Sequence, residues 1–130
     1  MQKITFMDKY PVFTKKILKT KTSYKTVDEI VEYFYKNIEE HPIAVNIGVF
    51  DHYKYTSSLE VHEINENIID AKNIICCFGD KLKTPVIAAV RPRSFGIVLM
   101  KDCFVISFIQ APSPVANSTM IEWVEAIENI

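Results

Sequence analysis

Over residues 27–50 the hydrophobic period changes once, from helical to two, which commits the chain to a fold that holds both a helix and a sheet. Val27, Ile30, Val31, Phe34 and Ile38 recur at helical spacing. Thr26-Val27-Asp28-Glu29 sets a hydroxyl and a carboxylate three residues apart, the capping-box form that starts a helix. His41-Pro42 ends it, because the residue before proline is pushed out of the α region. Residues 43–50 then alternate. Ile43, Val45, Ile47 and Val49 are expected on one face of a strand, and Ala44, Asn46, Gly48 and Phe50 on the other.

The remaining elements follow the same logic. Residues 11–19 (PVFTKKILK) read as a first strand, with residues 1–10 a loose N-terminal extension ahead of it. Residues 51–72 show no clean period and are expected to loop, with a helical turn near Leu59–Glu63. Residues 73–79 (NIICCFG) are a short apolar run and read as a buried strand. Thr84-Pro85 places proline at the first position of a short helix over 85–90, where its missing N–H costs nothing. Residues 95–100 and 103–109 flank Lys101-Asp102 and form a hairpin. Thr119–Glu122 repeats the capping-box pattern, and Met120, Trp123, Val124 and Ile127 give the last helix its apolar stripe. The expected class is α+β: a two-layer sandwich in one domain over 1–130, with a mixed sheet of about five strands and three helices. The order is β-α-β-β-α-β-β-α, and a ferredoxin-like arrangement is the nearest common architecture.

Composition excludes several function classes. With 15 basic and 16 acidic side chains in 130 residues, the formal charge is −1. Nucleic-acid binding is therefore not expected, since Lys15–Lys25 reads as a solvated face rather than a phosphate-binding arm. The N-terminus has no apolar core of a secretory signal, and the uncharged run 103–121 is broken by Pro112 and Pro114, so no membrane role is expected. Cys76, Cys77 and Cys103 lie in apolar segments with no metal-ligand or redox spacing. They are expected to be reduced thiols in a cytoplasmic protein.

Phe50-Asp51-His52, and Phe78-Gly79-Asp80 followed by Thr84-Pro85, resemble the domain of unknown function 302 family. That family typically carries Asp-His at the end of its second strand. Phe-Gly-Asn-Pro follows its third strand, and a Gly-Thr-Pro then opens a short helix. The resemblance covers about residues 11–128. Asp80, Lys81 and Lys83 stand where the family has Asn, Pro and Gly, so this chain resembles a divergent member. The resemblance implies an α+β fold, often dimeric, and carries no activity.

His52, Gly79, Asp80, Thr84, Arg91 and Arg93 are the candidate ligand-binding residues. A histidine can act as base, ligand or proton switch. Gly79 allows a tight turn into a helix start, and Arg91 and Arg93 suit a small anion. If the strands before His52 and Gly79 run parallel, the two motifs share one edge of the sheet and one cleft. His52 and His62 with Glu60 and Glu63 match no metal motif. No metal and no cofactor are expected, nor is any catalytic residue identified. The leading expectation is a non-catalytic ligand-binding or accessory protein, the expected partners being a second copy and a small anion. An enzyme using His52 and a structural homo-oligomeric module are the alternatives.

Overall fold

The helix read over residues 27–40 is present at those bounds. The computed structural model describes residues 1–130, and α1 spans Val27–Glu40, with the Thr26 hydroxyl accepting the Glu29 N–H at 3.1 Å. Around it run β1 (Gln2–Phe6), β2 (Tyr10–Leu18), β3 (Ala44–Phe50), α2 (His52–Ser58), β4 (Ile68–Phe78), β5 (Arg93–Met100), β6 (Cys103–Ile109) and α3 (Pro114–Glu125). Short 3-10 turns cover Lys19–Lys21 and Pro85–Val90. No helix is long and apolar enough to cross a membrane.

All six strands form one open sheet in the order β1-β2-β6-β5-β4-β3. The class is α+β as expected, but the sheet is not mixed: every neighbouring pair is antiparallel. The ferredoxin-like arrangement does not hold either. β4, β5 and β6 run as successive hairpin neighbours, and β2 closes on β6. Alternating directions across the sheet leave β2 and β3 pointing the same way at well-separated positions, so α1 carries the chain across the sheet between them.

Residues 1–10 are not a loose extension. β1 pairs with β2 from Gln2 opposite Thr14 to Phe6 opposite Tyr10. Their connection holds Met7 and Asp8 at φ 54° and 57°, closed by the Lys9 N–H donating to the Phe6 carbonyl at 3.1 Å. Positive φ at successive turn residues suits the right-handed twist of a hairpin, and Asn-Gly or Asp-Gly is its usual signal. Met-Asp does not carry that signal. Segment 51–72 also departs from a loop: α2 starts at once after β3, and β4 begins at Ile68, five residues ahead of the apolar run.

One face of the sheet carries the core. Ile17, Ile74, Cys76, Phe78, Phe95, Ile97, Phe104, Ile106 and Phe108 point into it and meet Val27, Ile30, Val31, Phe34 and Ile38 of α1. Ala116, Met120 and Val124 of α3, with Ile127, close the same layer. Phe34 stacks on Phe95 with ring centroids 4.3 Å apart. Tyr33 ties the two helices by donating to the Trp123 carbonyl at 2.6 Å. Burying each large apolar side chain stabilises by about 1.5–3 kcal/mol, so this layer supplies most of the drive to fold.

The strict alternation of β3 breaks at a bulge between Asn46 and Gly48. Directly opposed residues share a face. Val45 lies opposite Cys77, away from the core, whereas Val49 lies opposite the buried Ile74. Val45 and Val49 are therefore not on one face. The extra residue at the bulge shifts the pairing by one. It also turns Phe50, opposite Asn73, to the outer face, where its ring meets His52 and Tyr55 of α2.

Candidate functional site

The antiparallel pairing of β3 with β4 separates the two sequence motifs. Phe50 lies opposite Asn73, and Ala44 lies opposite Phe78. His52 follows one end of this ladder and Gly79 the other, about 20 Å apart at roughly 3.3 Å per residue. The single cleft joining His52 to Asp80 does not exist. It required parallel strands, and the segment between them makes a return rather than a crossover.

At the His52 end, Asp51 caps α2: its Oδ1 accepts the Lys54 N–H at 3.0 Å, and its Oδ2 faces Lys72 at 3.7 Å. Lys72 donates to Asp28 at 2.6 Å, and that bond is the largest cause holding its ammonium above its ordinary pKa. The His52 ring tilts over Phe50 with centroids 5.1 Å apart. His52 lines a shallow depression with Tyr53, Thr56, Ala71 and Val98, on the outer face of the sheet. His62 Nδ1 lies 2.7 Å from the Leu59 carbonyl. No group of three or more His, Cys, Asp or Glu side chains comes together to hold a metal ion.

The other end holds a built pocket. β4 stops at Phe78, β5 starts at Arg93, and the segment after β6 turns into α3. Between them lies a cavity of about 170 Å³, walled by Ile43, Phe78, Ile87, Val90, Ala111, Pro112, Val115 and Ala116 and edged by His41, Gly79, Arg91, Arg93, Ser113 and Thr119. The site residues read from sequence divide here. Gly79, Arg91 and Arg93 line the cavity. Asp80 borders an adjoining depression with Gly79, Lys81 and Arg91. Thr84 precedes the Pro85–Val90 turn without a side-chain cap and lines neither space.

Backbone carbonyls hold both arginines in place. Arg91 Nη1 donates to the Lys81 carbonyl at 2.8 Å. Arg93 Nη1 donates to the Val90 carbonyl at 3.0 Å, and its Nη2 to Ile109 and Gln110 at 2.6 and 3.3 Å. These are the chain's only arginines, and neither is ion-paired. Arg93 Nε is buried without a partner. Burial is the largest cause pushing the Arg93 guanidinium below its ordinary pKa, as expected for a cation withdrawn from water with only neutral acceptors.

Several pocket residues carried no signal in the sequence. His41 served there only as the residue before Pro42. Here its Nδ1 accepts the Ile43 N–H at 3.2 Å, and its ring stands edge-on to Phe78 and Trp123 at 5.4 and 5.9 Å. The last helix starts at Pro114, not at Thr119. Ser113 is its cap, accepting the Ala116 N–H at 3.3 Å. Asn117, nearly buried, accepts the Ala111 N–H at 2.9 Å and fixes the pocket floor to the helix. Ser113-Pro114 was the readable cue, with proline at the first helical position. The Thr119 hydroxyl instead donates to the Val115 carbonyl within the helix.

The cysteines lie outside the cavity. Cys76 and Cys103 are buried, Cys77 is half-buried, and all three are free thiols. Burial is the main cause pushing the Cys76 thiol up to about 12.

No curated protein and no solved structure matches the chain. A family match covers residues 1–129. It is not to the domain of unknown function 302 family, whose short motif pairs the antiparallel sheet has set at opposite ends. By that match over nearly its whole length, the chain belongs to the family of unknown function DUF6858.

Proposed function

We propose that the chain is a small ligand-binding protein that holds a carboxylate with a compact apolar body in the cavity beside Arg91 and Arg93. One observation carries the reading: the only two arginines edge one apolar cavity and neither has an acidic partner. A guanidinium set in place by carbonyls and lacking a counter-ion is prepared for a carboxylate. The apolar walls favour a ligand whose other end avoids water. A cavity of about 150 Å³ takes a benzene-sized molecule, which sets the scale.

Holding, rather than transformation, is the favoured chemistry. His41 Nδ1 and Ser113 Oγ are both engaged with backbone N–H groups, and Cys76 is a poor nucleophile at neutral pH. An enzyme using His52 is less favoured, because His52 lies at the far end of β3. The 302-like motif pairs add no activity to this reading. Free and partly buried thiols suit a reducing compartment, which supports a cytoplasmic setting.

Trp123, the chain's only tryptophan, touches His41 and Phe78 of the cavity wall and can report occupancy. Benzoate and hexanoate should change its fluorescence saturably, and benzyl alcohol should not. Arg91→Met and Arg93→Met should each weaken binding about 10- to 100-fold, the range of a charged hydrogen bond, with circular dichroism unchanged. No saturable response to either carboxylate, or equal binding of the neutral alcohol, would overturn the reading. Arg91→Met tests it even if Arg93→Met loosens the backbone that Arg93 holds.

A further inference from the structure

The sheet face opposite α1 and α3 is covered at one corner, where α2 lies against Ala71 and Val98, and is bordered beside Cys77 and Ile47 by the segment from Lys81 to Pro92. Tracing the opposed pairs across β1 to β3 puts Lys16 there as the only charged strand side chain. Two apolar ridges stand away from it on the same face. Val45 and Ile47, 59% and 55% exposed, stand with Ile75 on one side. Val12 and Ile109 stand opposite each other on the other side. Between them Ser94, Gly96 and Ser107 form a shallow trough.

We infer that this open face is an interface with a second copy of the chain, the two sheets packed back to back about a two-fold axis. A two-fold contact places each surface on itself, so it needs a face without like-charge conflict, and Lys16 alone is readily kept to the rim. The exposed apolar side chains of the two ridges can interdigitate with those of a second copy when aligned sheets pack about 10 Å apart. The area suffices. Six strands about 4.8 Å apart and roughly seven residues long give a face of about 29 by 23 Å. Two copies then bury about 1,300 Å², or about 1,100 Å² once the corner under α2 is left out. Both lie above the roughly 1,000 Å² that a specific contact needs. The cavity is lined from the core side by Phe78, Ala111 and Ala116, whereas the depression that Arg91 shares with Ile47 and Cys77 borders this face, so benzoate titration of a Val45→Lys monomer tells the two proposals apart.

Sedimentation equilibrium of the whole chain at tens of micromolar tests this. The expected mass is twice the 15.0 kDa of one chain. Val45→Lys and Ile109→Lys alter exposed side chains on the two ridges and should each give monomer with an unchanged circular dichroism spectrum. Cys77, half-buried on the same face, should react with a maleimide several-fold faster in those monomers than in the wild type. A monomeric wild type overturns the inference. So does a dimer that survives both substitutions, which would use another surface. A dimer broken by Val45→Lys alone also overturns it, because that result marks edge-to-edge pairing through β3.

Discussion

Arg91 lies across the backbone of Gly79 so closely that a Cβ built on Gly79 would stand 2.4 Å from Arg91 Nη2 and 2.6 Å from its Cζ. Gly79 also has φ +126°, a conformation that side chains resist. Gly79→Ala is expected to destabilise the fold by about 1–3 kcal/mol through the backbone. The flexible arginine head can move away, so the clash itself adds little to stability but displaces a cavity-edging charge. Urea denaturation and benzoate titration of the same variant separate the two effects. Stability should fall and carboxylate binding should weaken together.

Phe34 is the largest lever on the core. It is fully buried and stacks on Phe95, beneath the middle of the sheet. Phe34→Ala is expected to cost about 3–5 kcal/mol, most of it from the cavity left between two layers that cannot collapse together. The check is the urea midpoint at unchanged slope. A loss below about 1 kcal/mol would mean that α1 is not seated as described.

Asn117 holds the entry of α3 to the cavity floor. Asn117→Ala leaves the Ala111 N–H buried without its acceptor, at a cost of about 1–3 kcal/mol. Hydrogen exchange should show it most directly, as faster exchange at Ala111 and over the first turn of α3 than over α1.

The Cys76 thiol gives an alkaline prediction. Its folded value is raised from 9.0 to about 12, chiefly by burial. Between those two values the unfolded chain has released a proton that the folded chain keeps. Stability from this group is thus complete below pH 9 and falls as pH rises towards 12, by at most about 1.4 kcal/mol per pH unit. Cys76→Ala should flatten that part of the curve. Urea midpoints between pH 8.5 and 10.5 measure it, and a wild-type slope equal to the variant's would count against the burial described.

What the sequence made legible was local. α1 carried agreeing signals at both ends and along its stripe, and its bounds were read to the residue. The hairpin of β5 and β6 was visible because two uncharged, strongly apolar runs, residues 95–100 and 103–109, stand two residues apart. β1 was missed because its turn uses Met7-Asp8, and β4 was read short because Asp70 and Lys72 interrupt its apolar pattern while still sitting in the ladder. Gly79, Arg91 and Arg93, singled out in the sequence, line one cavity. His52 was joined to them on a strand direction that no local pattern specifies. His41, Ser113 and Asn117 went unseen because their roles arise from chain segments brought together by the sheet.

The place of β2 beside β6 has a consequence for synthesis. Thr14 and Ser107 share a hydrogen bond at 2.7 Å across 93 residues of chain. A growing polypeptide can close the helix, and later the β3–β4 ladder, from nearby segments. Its first two strands can pair with each other but have no further neighbour to join until β6 has emerged from the ribosome. They must wait in the open through most of translation, with Phe13 and Ile17 uncovered. Closing so long a loop late is slow, and it leaves an apolar hairpin free to find the wrong partner first. Nascent-chain stalls before and after residue 109 should therefore differ sharply in how readily a protease removes residues 1–18.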